Sequence, residues 1–394
     1  MMSEWKEYKL DEIADIYNNK RIPLSSIVRS KRQGKYPYYG ASGIVDYIDD
    51  YIFDGDYILI SEDGENLRSR KTPIAFRAQG KFWVNNHAHI IQGKDKFLNN
   101  WISYFFKNLN VSPYLTGAVQ PKLNKENLLR IPIPIPDFVS ASIITEILSS
   151  LDDKIELNNN INKELEKLAQ TLFKQWFIDF EFPNENGEPY QSSGGEMVES
   201  ELGMIPEGWS SKTLKDEFNL NMGQSPKGDT YNLSGDGMVF FQGRSDFGFR
   251  FPSVRMYTND PKKIAQKFET LMSVRAPVGD INMAIEKCCI GRGVGAISHP
   301  DSLFSYTYHK MFFIQPELKT YDNEGTVFGS INKVTLGNIK TIVPDLNIAK
   351  KFDELIKCKD ELVFNLSKEN QELSNLRDTL LPKLISGELN VKDL

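Results

Sequence analysis

The sequence predicts an α+β protein in which two mixed α/β domains are separated by a long antiparallel two-helix coiled coil, organised as an internal pseudo-two-fold repeat. Three observations predict it. Between Ile144 and Leu172 the apolar residues Ile144, Ile147, Leu151, Ile161, Leu165, Leu168 and Leu172 recur at steps of three and four on either side of a polar gap, with no Pro or Gly among them. That is the spacing of a helix with one narrow apolar seam, the kind that pairs with a second helix. Adding 208 to these numbers brings the seam back as Phe352, Leu355, Leu373, Leu376 and Leu380. The chain therefore carries its own partner helix.

The third observation is that the repeat begins before the helix. Gly117, Val119, Leu123, Asn124, Leu128, Ile131, Ile135 and Pro136 map at the same offset onto Gly325, Val327, Ile331, Asn332, Leu336, Ile339, Val343 and Pro344. Further back, Trp5, Leu10 and Glu12 face Trp209, Leu214 and Asp216 at an offset of 204. Two copies are too few for a solenoid, so the simplest plan is two globular domains, each followed by its own helix. The boundaries are 1–136 for the first domain, 137–182 for the first long helix, 183–208 for an acidic linker, 209–344 for the second domain and 345–394 for the second long helix.

Taken in order, Tyr57-Ile58-Leu59-Ile60 and Trp83-Val84 read as strands, and Phe97, Trp101, Tyr104 and Phe105 mark an amphipathic helix. Gly40-Ala41-Ser42-Gly43 and Glu62-Asp63-Gly64-Glu65 are turns. The run Ile131-Pro132-Ile133-Pro134-Ile135-Pro136 is a stiff extended lead-in, because Pro biases the residue before it away from helix. Pro183 stops the first long helix, and Gly187, Pro189, Gly194 and Gly195 mark the linker. In the second domain Phe268 to Val274 is strand-like. Ala276-Pro277-Val278-Gly279-Asp280 takes the place of the Glu62–Glu65 turn, and Ile290-Gly291-Arg292-Gly293-Val294-Gly295 that of Val84–His89. Asn158-Asn159-Asn160 interrupts the seam, either as a polar position that fixes helix register or as a docking point for a partner.

Composition suits folded domains. The 394 residues are 40% hydrophobic and 11% aromatic, and no run approaches the length of a membrane span. Three cysteines, two of them adjacent, make neither a disulfide framework nor a zinc spacing. The start lacks the basic and apolar regions of a secretion signal, and a cytoplasmic location is expected. The net charge of -6 is unevenly spread. The first domain holds 19 Lys+Arg against 15 Asp+Glu and the second 16 against 13, whereas the linker holds 0 against 6. Both domains are mildly basic, which fits contact with nucleic acid.

Catalytic patterns are missing. Gly291, Gly293 and Gly295 lack both the phosphate-loop and the dinucleotide spacing, so a tight turn between strands is the better reading. His87 and His89 have no cysteine nearby, and no metal site is expected. Asp280, Glu286 and Lys287 do not make a nuclease centre, because adjacent strand residues point to opposite faces. What remains is a set of basic, amide and aromatic residues of the kind that pair with phosphates and read base edges. Candidate DNA contacts in the first domain are Lys20, Arg21, Lys31, Arg32, Lys35, Tyr38, Arg68, Arg70, Lys71, Asn85 and Asn86. In the second they are Gln242, Arg244, Ser245, Arg250, Arg255, Arg275 and Arg292.

Several phrases together resemble the specificity (S) subunit of Type I restriction–modification systems across essentially the whole chain. They are Leu172-Phe173-Lys174-Gln175-Trp176-Phe177-Ile178-Asp179-Phe180, Leu380-Leu381-Pro382-Lys383-Leu384-Ile385-Ser386-Gly387-Glu388-Leu389 and Ile205-Pro206-Glu207-Gly208-Trp209. To these are added Ser273-Val274-Arg275-Ala276-Pro277-Val278-Gly279-Asp280 and Ile60-Ser61-Glu62-Asp63-Gly64. The resemblance implies a non-catalytic DNA reader with two target-recognition domains, each for half of a split target, and helices that set the distance between them. It implies two methyltransferase (M) subunits docked on the helical regions and restriction/translocase (R) subunits in the full complex. S-adenosylmethionine, ATP and Mg would sit on those partners and no cofactor on this chain. Phe173, Trp176, Phe177, Leu384 and Ile385 are candidate partner contacts, with core packing as their other reading. A coiled-coil scaffold that never touches DNA, or a free-standing DNA-binding regulator, would share the same plan. Steep salt dependence of DNA affinity separates the first, and co-purification with a methyltransferase the second.

Overall fold

A computed structural model describes residues 5–117, 119–322 and 329–391. Gly325 and Val327, two of the repeat matches, lie outside the described residues. The chain divides into two compact units, residues 1–156 with 371–394 and residues 157–370. Each unit holds one globular domain and a stretch of both long helices.

In the first unit the strands β1 (Ala14–Ile16), β2 (Gln33–Gly40), β3 (Gly43–Ile48), β4 (Phe53–Ser61), β5 (Ala75–Val84) and β6 (Ala88–Gly93) form one sheet in the order β1-β6-β4-β5-β2-β3. All its pairings are antiparallel except β2 with β5, where Tyr38 faces Trp83. Apolar residues on one face of this sheet, Ile58, Ile60 and Ile91, bury against helix α1 (Lys96–Asn108), which offers Leu98, Trp101, Ile102 and Phe105 at helical spacing. A short ribbon closes the domain, Lys6–Tyr8 antiparallel to Ile133–Ile135. The proline-alternating lead-in is thus an edge strand, where a missing N–H costs least.

The two long helices are each continuous. The first, α2 (Phe138–Phe177), starts on Asp137, whose carboxylate accepts from the Ser140 amide at 2.9 Å and the Ser140 hydroxyl at 2.8 Å. Three residues past its end Phe180 takes a left-handed φ of +56°, while the Glu181 amide reaches back to the Gln175 carbonyl at 2.8 Å.

In the second unit β7 (Asn219–Met222), β8 (Met238–Phe241), β9 (Thr270–Ser273), β10 (Ile281–Met283), β11 (Cys288–Ile290) and β12 (Val294–Ser298) repeat the plan. Strands β7 and β12, β12 and β9, and β9 and β10 are antiparallel neighbours, and β8 runs parallel to β11 with Phe240 facing Cys289. These match β1 with β6, β6 with β4, β4 with β5, and β2 with β5. The difference is that the long β5 of the first domain is here broken into β10 and β11, which fall in two sheets. Helix α3 (Phe304–Phe313) stands where α1 stood, and α4 (Leu346–Ser386) is the second long helix. It ends like the first: Gly387 has φ +77° and the Leu389 amide bonds the Lys383 carbonyl at 3.0 Å. A side chain at Gly387 would strike the Trp5 ring.

Residues 183–208, acidic and linker-like in composition, form an ordered segment. Phe182 stacks on Tyr190 and on Trp209, and Met197–Ser200 pairs with Gly203–Pro206 as a hairpin.

Part of the expected seam is buried, Ile144 in the first unit and Phe352 in the second, but on α2 from Asn158 onward the buried line lies one residue away from it. In the second unit Asn158 Nδ2 donates to Glu369 at 2.7 Å and Asn370 at 2.9 Å, Asn162 Nδ2 to Ser367 at 3.4 Å, and Phe173 packs on Phe352. Rising numbers on α2 meet falling numbers on α4, so the pair is antiparallel there. In the first unit Arg377 of α4 reaches Asp152 of α2 at 2.6 Å. The buried line runs Asn158, Asn162, Glu166, Ala169, Phe173, whereas Leu168 is 44% exposed and Leu157, Leu355 and Leu376 are exposed too. Heptad spacing located the helices, but Asn158 and Asn162, between the leucines, are what reach the partner helix. Of the asparagine triplet only Asn158 is buried, and its cross-helix bonds suit the register reading.

Candidate nucleic-acid interface

At one end of each sheet, loops are stitched together by backbone hydrogen bonds. In the second unit the Gln224 amide bonds the Ile290 carbonyl at 3.0 Å, Gly291 bonds Phe241 at 2.8 Å, Gly293 bonds Gln242 at 3.2 Å, and Val274 bonds Gly293 at 3.0 Å. The Arg292 amide also reaches the Ser225 hydroxyl at 3.2 Å. The alternating glycines explain themselves here. A Cβ on Gly293 would lie 2.5 Å from the Gln242 carbonyl oxygen, and one on Gly223 would lie 2.2 Å from that of Gly291. The turn is tight because three loops share it, and no phosphate cradle is needed to account for it.

This stitching brings Gln242, Arg244, Ser245, Arg275 and Arg292 onto neighbouring loops, all with exposed side chains. Arg244 is ion-paired with Asp280, which also meets Lys319 at 3.5 Å. Gln224 and Lys227 are exposed on the same rim and were not singled out from sequence. The Gly223 that turns the chain out of β7 is the signal that could have found them.

The first unit builds the same junction. Asn85 bonds the Tyr39 carbonyl at 3.1 Å as Gly291 bonds Phe241, and Leu123 bonds Glu62 at 2.8 Å as Ile331 bonds Val274 at 3.1 Å. Lys20 and Asn86 are exposed there and Asn85 is half-buried, its side chain accepting from the His87 amide. Lys122, exposed and 3.3 Å from Glu62, joins them and was missed. Under the loops lies a charged knot. Glu62 accepts from Arg21, and the Arg21 guanidinium also donates to the Asn86 and Ala88 carbonyls at 3.2 and 3.0 Å. Burial alone would raise the Glu62 carboxyl, but the Arg21 guanidinium and the Lys122 ammonium hold it below its ordinary value. His89 is buried with Nε2 donating to the Leu123 carbonyl at 2.7 Å and Nδ1 accepting from Asn18 at 2.8 Å. That fixes the neutral tautomer, and burial lowers its pKa. His87 is paired with Asp63 at 2.9 Å on the surface.

Several sequence candidates serve the fold instead. Arg21 is consumed by the knot just described. Tyr38 is buried, its hydroxyl accepting from the Leu24 amide at 2.9 Å. Arg70 donates to the carbonyls of Phe106, Lys107 and Leu109 and so caps the end of α1. Arg32 pairs with Asp49 and lies over Trp83. Arg255 pairs with Asp246. Lys31 precedes β2 and Lys35 is its third residue; both are exposed, eight and four residues and roughly 26 and 13 Å from Tyr39 at the loop junction. Arg68 donates to the Gly117 carbonyl at 3.2 Å and Lys71 is exposed beyond it. Arg250 is 1% exposed and bonds Glu166 and Asp360 of the long helices, so it cannot touch DNA. The candidate partner contacts are core as well. Phe173, Trp176 and Phe177 are buried among Phe352 and Tyr306, and Leu384 and Ile385 are buried in the first unit's core.

Two copies of one domain plan, each with exposed cations and amides on loops gathered at a sheet end, define a paired recognition module rather than a reaction centre. Comparison with known proteins agrees. Residues 2–167 and 206–372 both match the family described as Type I restriction modification DNA specificity domain. The chain belongs to that family and carries its domain twice. A putative type I restriction enzyme specificity subunit of Methanocaldococcus jannaschii, MjaX, is 32% identical over 295 residues, which cover 73% of this chain and 66% of that relative, just under two thirds of its length. The MjaIX specificity subunit of the same organism is 27% identical over 426 residues, covering 99% of this chain and 95% of the relative. The crystal structure of a Type-I restriction-modification system S subunit from M. genitalium shares the fold, with a TM-score of 0.64 at 16% identity over 97% of this chain and 96% of that one. Among the described residues no helix is long and apolar enough to cross a membrane.

Proposed function

We propose that this chain is the non-catalytic DNA-reading subunit of a type I restriction–modification complex. Each globular domain reads one half of a bipartite target, and the helix pair, as a coiled coil, sets the spacer and docks two methyltransferase subunits. Restriction/translocase subunits join in the full complex, and S-adenosylmethionine, ATP and Mg belong to the partners. The observation that carries this reading is the loop junction built twice, with Gln242, Arg275 and Arg292 exposed on one copy and Lys20, Asn86 and Lys122 on the other. Such side chains bond phosphates and, through Arg to guanine and Asn or Gln to adenine, base edges in the major groove.

The helices support the docking part differently than Phe173 and its neighbours would have. On α2, Leu157, Ile161, Leu165, Leu168 and Leu172 form a stripe that the second helix leaves partly or wholly uncovered. A row of apolar residues at helical spacing suits the helices of a partner subunit.

The test is binding of the protein to duplexes carrying two half-sites selected from a random library. Affinity should fall steeply with salt, log Kd against log[salt] having a slope near 0.9 per phosphate contacted. Binding that survives undiminished from about 50 to about 200 mM salt, or that needs only one half-site, would contradict the reading.

A further inference from the structure

Between the globular domains and the helices, one position recurs. Asp152 on α2 and Asp360 on α4 are separated by the 208-residue repeat offset. Each is the acceptor through which a globular domain grips the helix pair. Asp152 accepts from the Tyr104 hydroxyl of α1 at 2.8 Å and from Arg377 of α4 at 2.6 Å, and lies 3.5 Å from Lys107. Asp360 accepts from Arg250 at 2.6 Å, and His309 of α3 lies 3.7 Å away. Arg250 also bonds Glu166 of α2, and its guanidinium sits 3.4 Å over the Tyr308 ring. One fully buried cation of the domain therefore touches both helices at once.

Both sites join the same parts: the helix of the globular domain (α1 or α3), α2 and α4. A purely apolar contact would hold these elements together but allow sliding, since such contacts are non-directional. Charge-assisted hydrogen bonds have fixed geometry. Buried ones also leave an uncompensated charge if the contact shifts.

We propose that Asp152 and Asp360, the latter through Arg250, are positioning residues that fix the orientation of each recognition domain on the helix pair, and so set how strictly the spacer between half-sites is enforced. This rests on the bipartite reading above. The geometry contributes nothing to which bases are read, since neither site shares a residue with the loop junctions.

The experiment compares wild type, Asp152→Asn, Tyr104→Phe and the paired variant Arg250→Gln/Asp360→Asn on DNA with the selected half-sites at the preferred spacer and at one base pair more or fewer. Wild type is expected to lose tenfold or more in affinity on the altered spacers. The variants should narrow that loss to about threefold or less while keeping the same half-site base preferences. Tyr104→Phe removes a single hydroxyl and keeps the ring, so it remains informative if a charge variant fails to fold. A folded Tyr104→Phe or Asp152→Asn protein that discriminates spacers as wild type does would overturn the proposal, and lower thermal stability alone would not support it. Absence of spacer discrimination in wild type would instead overturn the bipartite reading itself.

Discussion

Arg250→Ala is expected to destabilise the second unit by about 3–5 kcal/mol, because it leaves Glu166 and Asp360 buried without their cation. Replacing all three together with apolar residues of similar size, Arg250→Met, Glu166→Leu and Asp360→Leu, should restore most of that loss. A buried ion pair is expensive to break and cheap to replace. Chemical denaturation followed by aromatic fluorescence reads both. The same cluster fixes an acid response. Burial would raise the Asp360 carboxyl, but Arg250 lowers it to about 2. A carboxyl depressed in the folded state contributes stability that is complete above its unfolded value, about 3.9, and is lost as pH falls through its folded value. Wild type should therefore keep this contribution down to about pH 4 and lose it between there and about pH 2. In Arg250→Ala the acid transition should move to higher pH. An unmoved transition would mean that Arg250 is not what depresses Asp360.

Reversing the charge at the loop junction, as Arg275→Glu with Arg292→Glu, should weaken DNA binding by on the order of a hundredfold at 0.1 M salt and reduce the salt slope by about two. Both side chains are exposed, so folding should be unaffected. Lys31→Glu with Lys35→Glu, before and in the half of β2 away from the junction, should change affinity by less than threefold or so, since rim charges outside the contact act only through screened fields. Fluorescence anisotropy at several salt concentrations distinguishes the two pairs. Equal losses from both would show that the junction is not the contact surface.

The repeat and the two helices were legible in the sequence because both rest on spacing, which survives divergence of individual residues. The face by which the helices pair was not. Counting leucines put Leu165 and Leu168 in the seam, whereas the chain buries Asn158, Asn162 and Glu166 there and satisfies them in part across the pair. A hydrophobic count gives such residues to solvent. The basic residues divided in the same way. Charge and loop position picked Gln242, Arg275 and Arg292, which are exposed on loops joined at one junction. The same criteria also picked Arg21, Arg70 and Arg250, whose partners are carbonyls and carboxylates distant in sequence. An arginine that caps a helix or clamps two carboxylates looks, along the chain, like one that meets a phosphate. Gln224, Lys227 and Lys122 were missed because the Gly223 turn marks the first two only as loop residues and nothing local marks the third; strand pairing brings all three to the rim.

On the proposed function the helix pair acts as a measure of length. Each of the 40- and 41-residue helices is about 60 Å long at 1.5 Å per residue, against ~34 Å per turn of DNA. Inserting four helical residues between Asp152 and Asn158, and four more between Asn370 and Arg377, adds ~6 Å to both members of the pair. Methylated adenines mapped in cells carrying that variant should fall in targets with unchanged half-sites and a spacer longer by about one or two base pairs, at ~3.4 Å each. Recovery of the original spacer from a folded, active variant would contradict it.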